Sequence, residues 1–206
     1  MQRDLKALDA TPNLPTLFFE TAEAKKRKPF LWHKENGKYR SRTYRTAMQE
    51  VIHLARGLRD LGIEPGDRVV ICAENRPEWA IADIAIMALG AIAVPAYTTN
   101  TTTDHLHILS NSGAKGAIVS TRDLAKKLLP AAIDSGVCQF ITSIEPLLIR
   151  QKLPLDVHAY DAVIAHGKEL TDDIVAHARA LPRESTSCII YTSGTGGTPK
   201  GVELSH

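Results

Sequence analysis

Nine consecutive residues near the carboxyl end of the sequence combine the groups that bind an anion. They are Thr192, Ser193, Gly194, Thr195, Gly196, Gly197, Thr198, Pro199 and Lys200. Glycines lack a Cβ atom, so neighbouring backbone N–H groups can converge on an anion, and the hydroxyls add further donors. Lys200 supplies a compact positive charge, and the run contains no carboxylate to repel an anion. The run therefore predicts a loop that binds a chain of phosphates.

The Walker A loop, G-x-x-x-x-G-K-[ST], is the first comparison, because it is a glycine-rich loop that binds phosphates. With Gly194 and Lys200 aligned, this sequence has Pro199 where that motif has glycine, and Gly201 where it has serine or threonine. A Walker loop also opens into a helix, whereas the sequence VELSH that follows here predicts a strand. A standard P-loop NTPase is therefore disfavoured. An ordinary surface turn remains the alternative, since most clusters of Gly, Thr, Ser and Pro are turns.

The elements that would position this loop alternate along the chain. The Asn-Gly pair at residues 36–37 favours the type I′ turn of a hairpin over residues 28–44. Residues 45–63 have helical periodicity, with capping-box spacing at Thr46 and Gln49. Further strands are predicted over 68–73, 91–97, 115–120 and 137–144, and further helices over 77–89, 102–113 and 122–136. Apolar strands that alternate with helices are typical of a parallel sheet covered on both faces.

We therefore predict an α/β fold, with a largely parallel sheet flanked by helices and an N-terminal β-hairpin. Residues 1–144 would form an α/β subdomain. Residues 145–184 would form a connecting region, with one helix over 172–181, that leads back into the sheet or into a second one. Residues 185–206 would contribute a strand, the phosphate-binding loop and a second strand.

Composition and charge argue against several classes of protein. The 206 residues carry a formal net charge of +2, and the basic run at residues 25–28 is short, which argues against nucleic acid as a partner. The three cysteines lie in apolar surroundings without metal or disulfide spacing, as expected of buried thiols in a reducing compartment. The eight histidines show no metal-ligand spacing, and His105 and His107, two residues apart, would point to different sides of a helix.

Neither export nor membrane insertion is indicated. The amino terminus carries charges where a signal peptide needs an apolar core, so we expect a cytoplasmic protein. The longest apolar run, residues 79–97, is interrupted by an aspartate, a glycine and a proline. It therefore predicts a buried helix followed by a strand, and not a transmembrane span.

Residues 191–206, with the sequence YTSGTGGTPKGVELSH, resemble the phosphate-loop signature of the AMP-forming acyl-CoA synthetases, also called the adenylate-forming or AMP-binding superfamily. The usual core of that signature is TSGTTG-x-PKG, and Gly196 stands where threonine is commonest, which removes one hydroxyl donor. Residues 43–101 are similar to the N-terminal subdomain of the same family. Within them, NRPEWAIADIAIMALGAIAVPAY (residues 75–97) most resembles the long-chain fatty-acid–CoA ligase branch.

The resemblance implies a reaction in two steps. A carboxylate attacks the α-phosphate of ATP to give an acyl-adenylate and pyrophosphate, and the thiol of coenzyme A then displaces AMP. The residues that would contact the phosphates, position by position, are Thr192, Ser193, Gly194, Thr195 and Thr198, and Lys200 would supply charge. Donors placed around the departing pyrophosphate stabilise its developing charge. No residue of this chain is predicted to transfer a proton, because the leaving group mainly needs neutralisation.

Other parts of the family's active site are not found in this sequence. They are the Tyr-Gly-x-Thr-Glu-type segment that binds adenine and coordinates Mg²⁺, the ribose-binding aspartate, and the lysine of the C-terminal domain. The resemblance thus implies the N-terminal portion of a longer enzyme, inactive alone, with small-molecule substrates in the cytoplasm or at the inner face of a membrane. Three alternatives stay open: a relative that adenylates another acid, a stand-alone nucleotide-binding module, and a degenerate remnant.

Overall fold

A computed structural model of the protein describes residues 10–192 and 197–206. Its helices are α1 (Leu14–Lys25), α2 (Tyr44–Asp60), α3 (Pro77–Ala88), α4 (Thr102–Ser112), α5 (Arg122–Ser135), α6 (Tyr160–Glu169) and α7 (Ile174–Arg179). Its strands are β1 (Pro29–Glu35), β2 (Lys38–Thr43), β3 (Arg68–Cys72), β4 (Ile92–Pro95), β5 (Gly116–Val119), β6 (Phe140–Ser143), β7 (Asp156–Ala159), β8 (Thr186–Thr192) and β9 (Lys200–Ser205). Strand and helix alternate from β3 to α5, as the sequence predicts.

Within the described residues, seven strands form one sheet in the order β7-β6-β5-β3-β4-β8-β9. Every neighbouring pair is parallel except β8 and β9, which run antiparallel. β1 and β2 form a separate antiparallel hairpin. Its turn has positive φ angles at Asn36 (48°) and Gly37 (78°), as a type I′ turn requires. The predicted α/β fold with an N-terminal hairpin is confirmed.

The apolar core lies on both faces of the sheet. Successive residues of a strand point to opposite faces, so Val69 and Ile71 face one layer of helices while Val70 and Cys72 face the other. Helices α1, α2, α3, α6 and α7 cover the first face, and α4 and α5 cover the second. The central strands are apolar because they are buried on both sides.

The start of α2 differs from the prediction. The Thr43 side chain caps the helix by accepting the Thr46 N–H at 3.2 Å, so the expected capping box at Thr46 and Gln49 is wrong. The hairpin provides the reason. Strand β2 ends at Thr43, and the Tyr44 N–H donates to the Lys28 carbonyl, which turns the chain into a helix before Thr46 is reached.

Residues 145–184 contain more regular structure than the sequence analysis predicts for this region. Strand β7 extends the sheet beside β6, and α6 and α7 follow it. Only α7 overlaps a predicted element. The sequence of β7 alternates polar and apolar residues over four positions, and none of the four is fully buried, so it lacks the apolar run by which the other parallel strands are identified.

The apolar run at residues 79–97 forms α3 and then β4, as predicted. Both elements belong largely to the core. None of the helices in residues 10–192 and 197–206 combines the length and the hydrophobicity needed to cross a bilayer.

Candidate functional site

The predicted phosphate-binding loop joins β8 to β9 at the edge of the sheet where the parallel strands end. Tyr191 pairs with Gly201 and Thr192 pairs with Lys200 across the two strands. The base of the loop is therefore closed by an antiparallel ladder, and a strand follows the loop where a Walker loop would open into a helix. In parallel α/β sheets, ligands bind at the carboxyl ends of the strands.

The structure describes part of the predicted binding set. Ser193, Gly194, Thr195 and Gly196 lie outside the described residues. Of the others, Thr192, Gly197, Thr198 and Lys200 are exposed and Pro199 is half-buried. Gly197 has a φ of 128°, a conformation that side chains with a Cβ rarely adopt. The two threonine hydroxyls and the lysine ammonium are therefore accessible to a ligand at the base of the loop.

Gly201 has a packing role that the sequence analysis does not predict. A Cβ atom at Gly201 would lie 2.7 Å from Cγ2 of Ile189 and 3.3 Å from Cζ of Tyr191. The Tyr191 ring thus occupies the space beside the glycine of the opposite strand, an arrangement that favours glycine at this edge position. The Pro-Lys-Gly sequence therefore places a lysine at the loop and leaves room for an aromatic ring beneath it.

Helix α4 contacts the residues at both ends of the loop. The Nε2 atom of His107 lies 2.8 Å from the Pro199 carbonyl oxygen, and the Tyr191 hydroxyl donates to Oδ1 of Asn111 at 2.7 Å. The rings of His107 and Tyr191 meet edge to face, with centroids 5.8 Å apart. Sequence analysis does not predict these contacts. The only sign of them is that His107 and Asn111 lie four residues apart, which places them on one face of a helix.

Cavities flank Tyr97 and Tyr191 beside the loop. One of about 340 Å³ is lined by Tyr97, Asp104, Tyr191, Thr192 and Pro199, among other residues. A second, of about 450 Å³, lies at the ends of β3, β4 and β8, and its walls include Trp79, Tyr97 and Tyr191. The aromatic walls and the few polar groups are typical of small-molecule sites.

Two buried thiols of the sheet, Cys72 and Cys138, are held in the unreactive protonated form. Burial raises the pKa of Cys72 to about 12 and that of Cys138 to about 11. A thiol reacts as the thiolate, so neither cysteine is a candidate nucleophile. This agrees with the prediction that the cysteines are buried residues, although Cys188 is only partly buried.

His105 lies on the side of α4 opposite to the loop, as the spacing of His105 and His107 predicts. Its side chain is 0% exposed, and its Nε2 atom lies 3.9 Å from Sγ of Cys72. In the described part of the chain, its Nδ1 atom has no hydrogen-bond partner. Burial lowers the pKa of His105 below its ordinary value of 6.5, with Asp104 opposing and Lys127 reinforcing the shift. Folding therefore favours the neutral form of His105.

This burial predicts a loss of stability in acid. Below pH 6.5 the unfolded chain protonates His105 more fully than the folded chain does, so protonation favours unfolding. Well above pH 6.5 the residue is neutral in both states and the effect vanishes. Between pH 7.5 and 5.5 we expect the free energy of unfolding of the unmodified chain to fall by about 1 kcal/mol more than that of His105→Met. Urea unfolding at the two pH values measures the difference. If the free energy of unfolding falls equally in the two proteins, protonation of His105 does not contribute to the pH dependence of stability.

The part of the chain that the structure describes assembles no cluster of metal ligands. Residues 10–192 and 197–206 contain no group of three or more His, Cys, Asp or Glu side chains that could hold a metal ion. The described residues thus offer no cluster of three such ligands to Mg²⁺.

Comparisons with known proteins identify the family. The family model described as "AMP-binding enzyme" matches residues 18–206. The long-chain-fatty-acid–CoA ligase FadD15 of Mycobacterium tuberculosis is 34% identical over 161 residues, which cover 78% of this chain and 26% of that protein. The 3-[(3aS,4S,7aS)-7a-methyl-1,5-dioxo-octahydro-1H-inden-4-yl]propanoyl:CoA ligase of the same organism is 32% identical over 162 residues, which cover 78% of this chain and 31% of that protein.

A solved structure shares the fold. The didomain of carboxylic acid reductase from Segniliparus rugosus, in complex with AMP, superposes with a TM-score of 0.80 at 20% identity, covering 97% of this chain and 33% of that one. The chain spans about a quarter of the length of the curated relatives it matches. Because the family model covers almost the whole chain, and because the fold agrees with it, the chain belongs to the AMP-binding enzyme family.

Proposed function

We propose that this chain is the N-terminal portion of an ATP-dependent acyl-CoA synthetase that activates a long-chain fatty acid as its acyl-adenylate and transfers the acyl group to coenzyme A. The family match and the 34% identity to a long-chain-fatty-acid–CoA ligase support the proposal. The proposed substrates are ATP, a fatty acid and coenzyme A. The proposed location is the cytoplasm, including its boundary with a membrane, and the proposed Mg²⁺ ligands belong to other parts of the enzyme.

The role proposed for this chain is to bind the β- and γ-phosphates. When the carboxylate oxygen attacks the α-phosphorus, the bond to the bridging oxygen breaks and pyrophosphate leaves with additional negative charge. The observation that carries the assignment is the pairing of Thr192 with Lys200 at the base of the loop, where both side chains are exposed. A hydroxyl and an ammonium side by side, with Thr198 close in sequence, can neutralise that charge without transferring a proton. We propose that Ser193, Gly194, Thr195 and Gly196 contribute the remaining contacts.

A ligase of a different carboxylic acid is the second candidate. The relative named as a 3-[(3aS,4S,7aS)-7a-methyl-1,5-dioxo-octahydro-1H-inden-4-yl]propanoyl:CoA ligase is 32% identical, close to the 34% of the fatty-acid ligase. Phosphate binding by the loop would be the same in both cases, so the two candidates differ in the acid and not in the role of this chain.

Titration with inorganic pyrophosphate and with ATP tests the proposed role of the loop. We expect Lys200→Ala to weaken the binding of both ligands about tenfold, since loss of one charged contact to a phosphate costs roughly 1.4 kcal/mol. Isothermal titration calorimetry on the unmodified chain and the variant measures the two affinities.

Lys168→Ala is the matched control, because Lys168 is equally exposed but lies on α6. We expect this variant to bind as the unmodified chain does. Equal weakening by both substitutions would indicate non-specific attraction to positive charge, and absence of any effect at Lys200 would contradict the assignment of the loop.

A further inference from the structure

One face of α4 contacts both ends of the loop, although α4 is far from the loop in sequence. His107 contacts the Pro199 carbonyl immediately before Lys200, and Asn111 contacts the hydroxyl of Tyr191 immediately before Thr192. The two α4 residues are separated by one helical turn. The helix therefore connects the residue that precedes the loop with one of the last residues within it.

In the contact between His107 and Pro199, the hydrogen-bond donor is the histidine. A carbonyl oxygen accepts hydrogen bonds and donates none, so the Nε2 atom of His107 carries the hydrogen that binds the Pro199 oxygen. Both the Nε2–H tautomer of neutral histidine and the imidazolium cation have this donor. Pro199 has no N–H of its own, so its carbonyl is the backbone group through which that residue is held.

The second contact lies at the start of the loop. Tyr191 is 5% exposed, and burial raises the pKa of its hydroxyl, which therefore stays protonated and donates to Asn111. A buried hydroxyl that loses its partner costs more free energy than the hydrogen bond itself contributes. The Tyr191 ring also lies against Gly201, so this contact positions the first residue pairs of the β8–β9 ladder.

The helix that provides these contacts is itself well anchored. Thr101 and Asp104 form a capping box at its first turn. Ile108 and Leu109 are buried in the core beneath it, at 4% and 0% exposure, and Gly113 ends the helix in the left-handed conformation. Because such a helix holds Tyr191 and Pro199 at the two ends of the loop, these end segments lose less conformational entropy when a ligand binds.

We propose that His107 and Asn111 form a clamp on the loop, in which His107 is the positioning residue that orients the Pro199–Lys200 segment for a phosphate ligand. The importance of the clamp for phosphate binding rests on the proposed function. Its two contacts, to Pro199 and Tyr191, form without a ligand. His107 does not itself bind phosphate. It acts through the Pro199 carbonyl, so its loss should loosen the Pro199–Lys200 segment as well as weaken binding of the phosphate ligand.

Hydrogen–deuterium exchange of the ligand-free chain tests the clamp directly. In His107→Phe, which keeps an aromatic ring against Tyr191 and removes the donor, we expect the backbone amides of residues 197, 198, 200 and 201 to exchange about fivefold faster, the size expected from one neutral hydrogen bond. In His107→Gln the side-chain amide can reach the position of Nε2, so exchange should remain close to that of the unmodified chain. Ser110→Ala, an exposed position of the same helix, is the control and should change nothing.

Pyrophosphate titration of the same variants measures the consequence for binding. We expect His107→Phe to bind about fivefold more weakly and His107→Gln to bind normally. The midpoint of thermal unfolding should stay the same in His107→Gln and Ser110→Ala and fall by about 3 °C in His107→Phe, as expected from the loss of one neutral hydrogen bond. Unchanged exchange in His107→Phe, or equally fast exchange in His107→Gln, would overturn the clamp. If the unmodified chain does not bind pyrophosphate but the exchange results hold, the clamp is supported and the proposed function fails.

Discussion

Replacement of Gly167 by alanine is expected to destabilise the protein by about 3 kcal/mol, which corresponds to a fall of roughly 10 °C in the midpoint of thermal unfolding. Gly167 lies in α6 where this helix crosses α2. A Cβ atom there would lie 1.9 Å from the carbonyl oxygen of His53 and 2.8 Å from the backbone nitrogen of Gly57. Backbone atoms cannot rotate aside as a side chain does, so the two helices would have to separate.

A glycine of α2 makes the equivalent close approach to the backbone of α6, which strengthens the expectation that Gly167→Ala is destabilising. A Cβ atom at Gly57 would lie 2.4 Å from the carbonyl oxygen of Val163, so each helix brings a glycine to the backbone of the other. Alanine normally stabilises a helix interior by about 1 kcal/mol relative to glycine, and we expect the steric cost at Gly167 to exceed that gain.

Gly136→Ala is the control for this measurement. Gly136 has a φ of 65° and no atom within 4 Å of the position of a Cβ, so the same substitution there carries only the cost of a left-handed conformation, about 1 kcal/mol. Differential scanning calorimetry of the two variants separates the two effects. Equal losses at Gly136 and Gly167 would show that α2 and α6 do not approach as closely as the structure describes.

Gly201→Val is expected to combine a loss of stability with a loss of ligand binding. A Cβ at this position already lies within 3.4 Å of Ile189 and Tyr191, and valine adds two methyl groups. The Tyr191 ring would be displaced, and with it the hydroxyl that donates to Asn111. We expect the free energy of unfolding to fall by about 2 kcal/mol and the affinity for pyrophosphate to fall about tenfold, or roughly 1.4 kcal/mol.

The matched control is Val202→Thr, at the neighbouring position on the same strand. Val202 is 45% exposed, and successive residues of a strand point to opposite faces, so its side chain does not meet Tyr191. Urea unfolding and calorimetric titration of both variants give the two quantities. Normal pyrophosphate affinity in Gly201→Val would contradict the idea that Tyr191 positions the loop, and an undiminished stability would contradict the close contact.

Much of the fold follows from local sequence. The Asn36-Gly37 pair predicts the hairpin turn, because a type I′ turn needs positive φ angles at both central residues and Asn and Gly tolerate them. The apolar runs of β3 and β5 predict buried parallel strands because a strand covered on both faces has no side exposed to water.

Elements that depend on neighbours in space were not predicted. Strand β7 is defined by its pairing with β6 at the edge of the sheet, and its mixed sequence carries no apolar run. The cap of α2 at Thr43 depends on where the hairpin ends. In both cases a contact between distant segments decides the structure, and propensity is too weak to indicate it.

The candidate site also has features that follow from local sequence and features that depend on contacts between distant segments. The hydroxyls, glycines and lysine of residues 192–200 fit an anion-binding loop as well as a surface turn, because those groups are donors whatever surrounds them, and anion binding by the loop stays a prediction. Only the tertiary structure decided how the ends of the loop are held, since His107 of α4 contacts Pro199 across a sequence separation of 92 residues. Only the tertiary structure also explains Gly201, whose missing Cβ leaves space for the Tyr191 ring of the adjacent strand. Donor chemistry is a property of single residues, whereas position depends on packing between segments that are distant in the sequence.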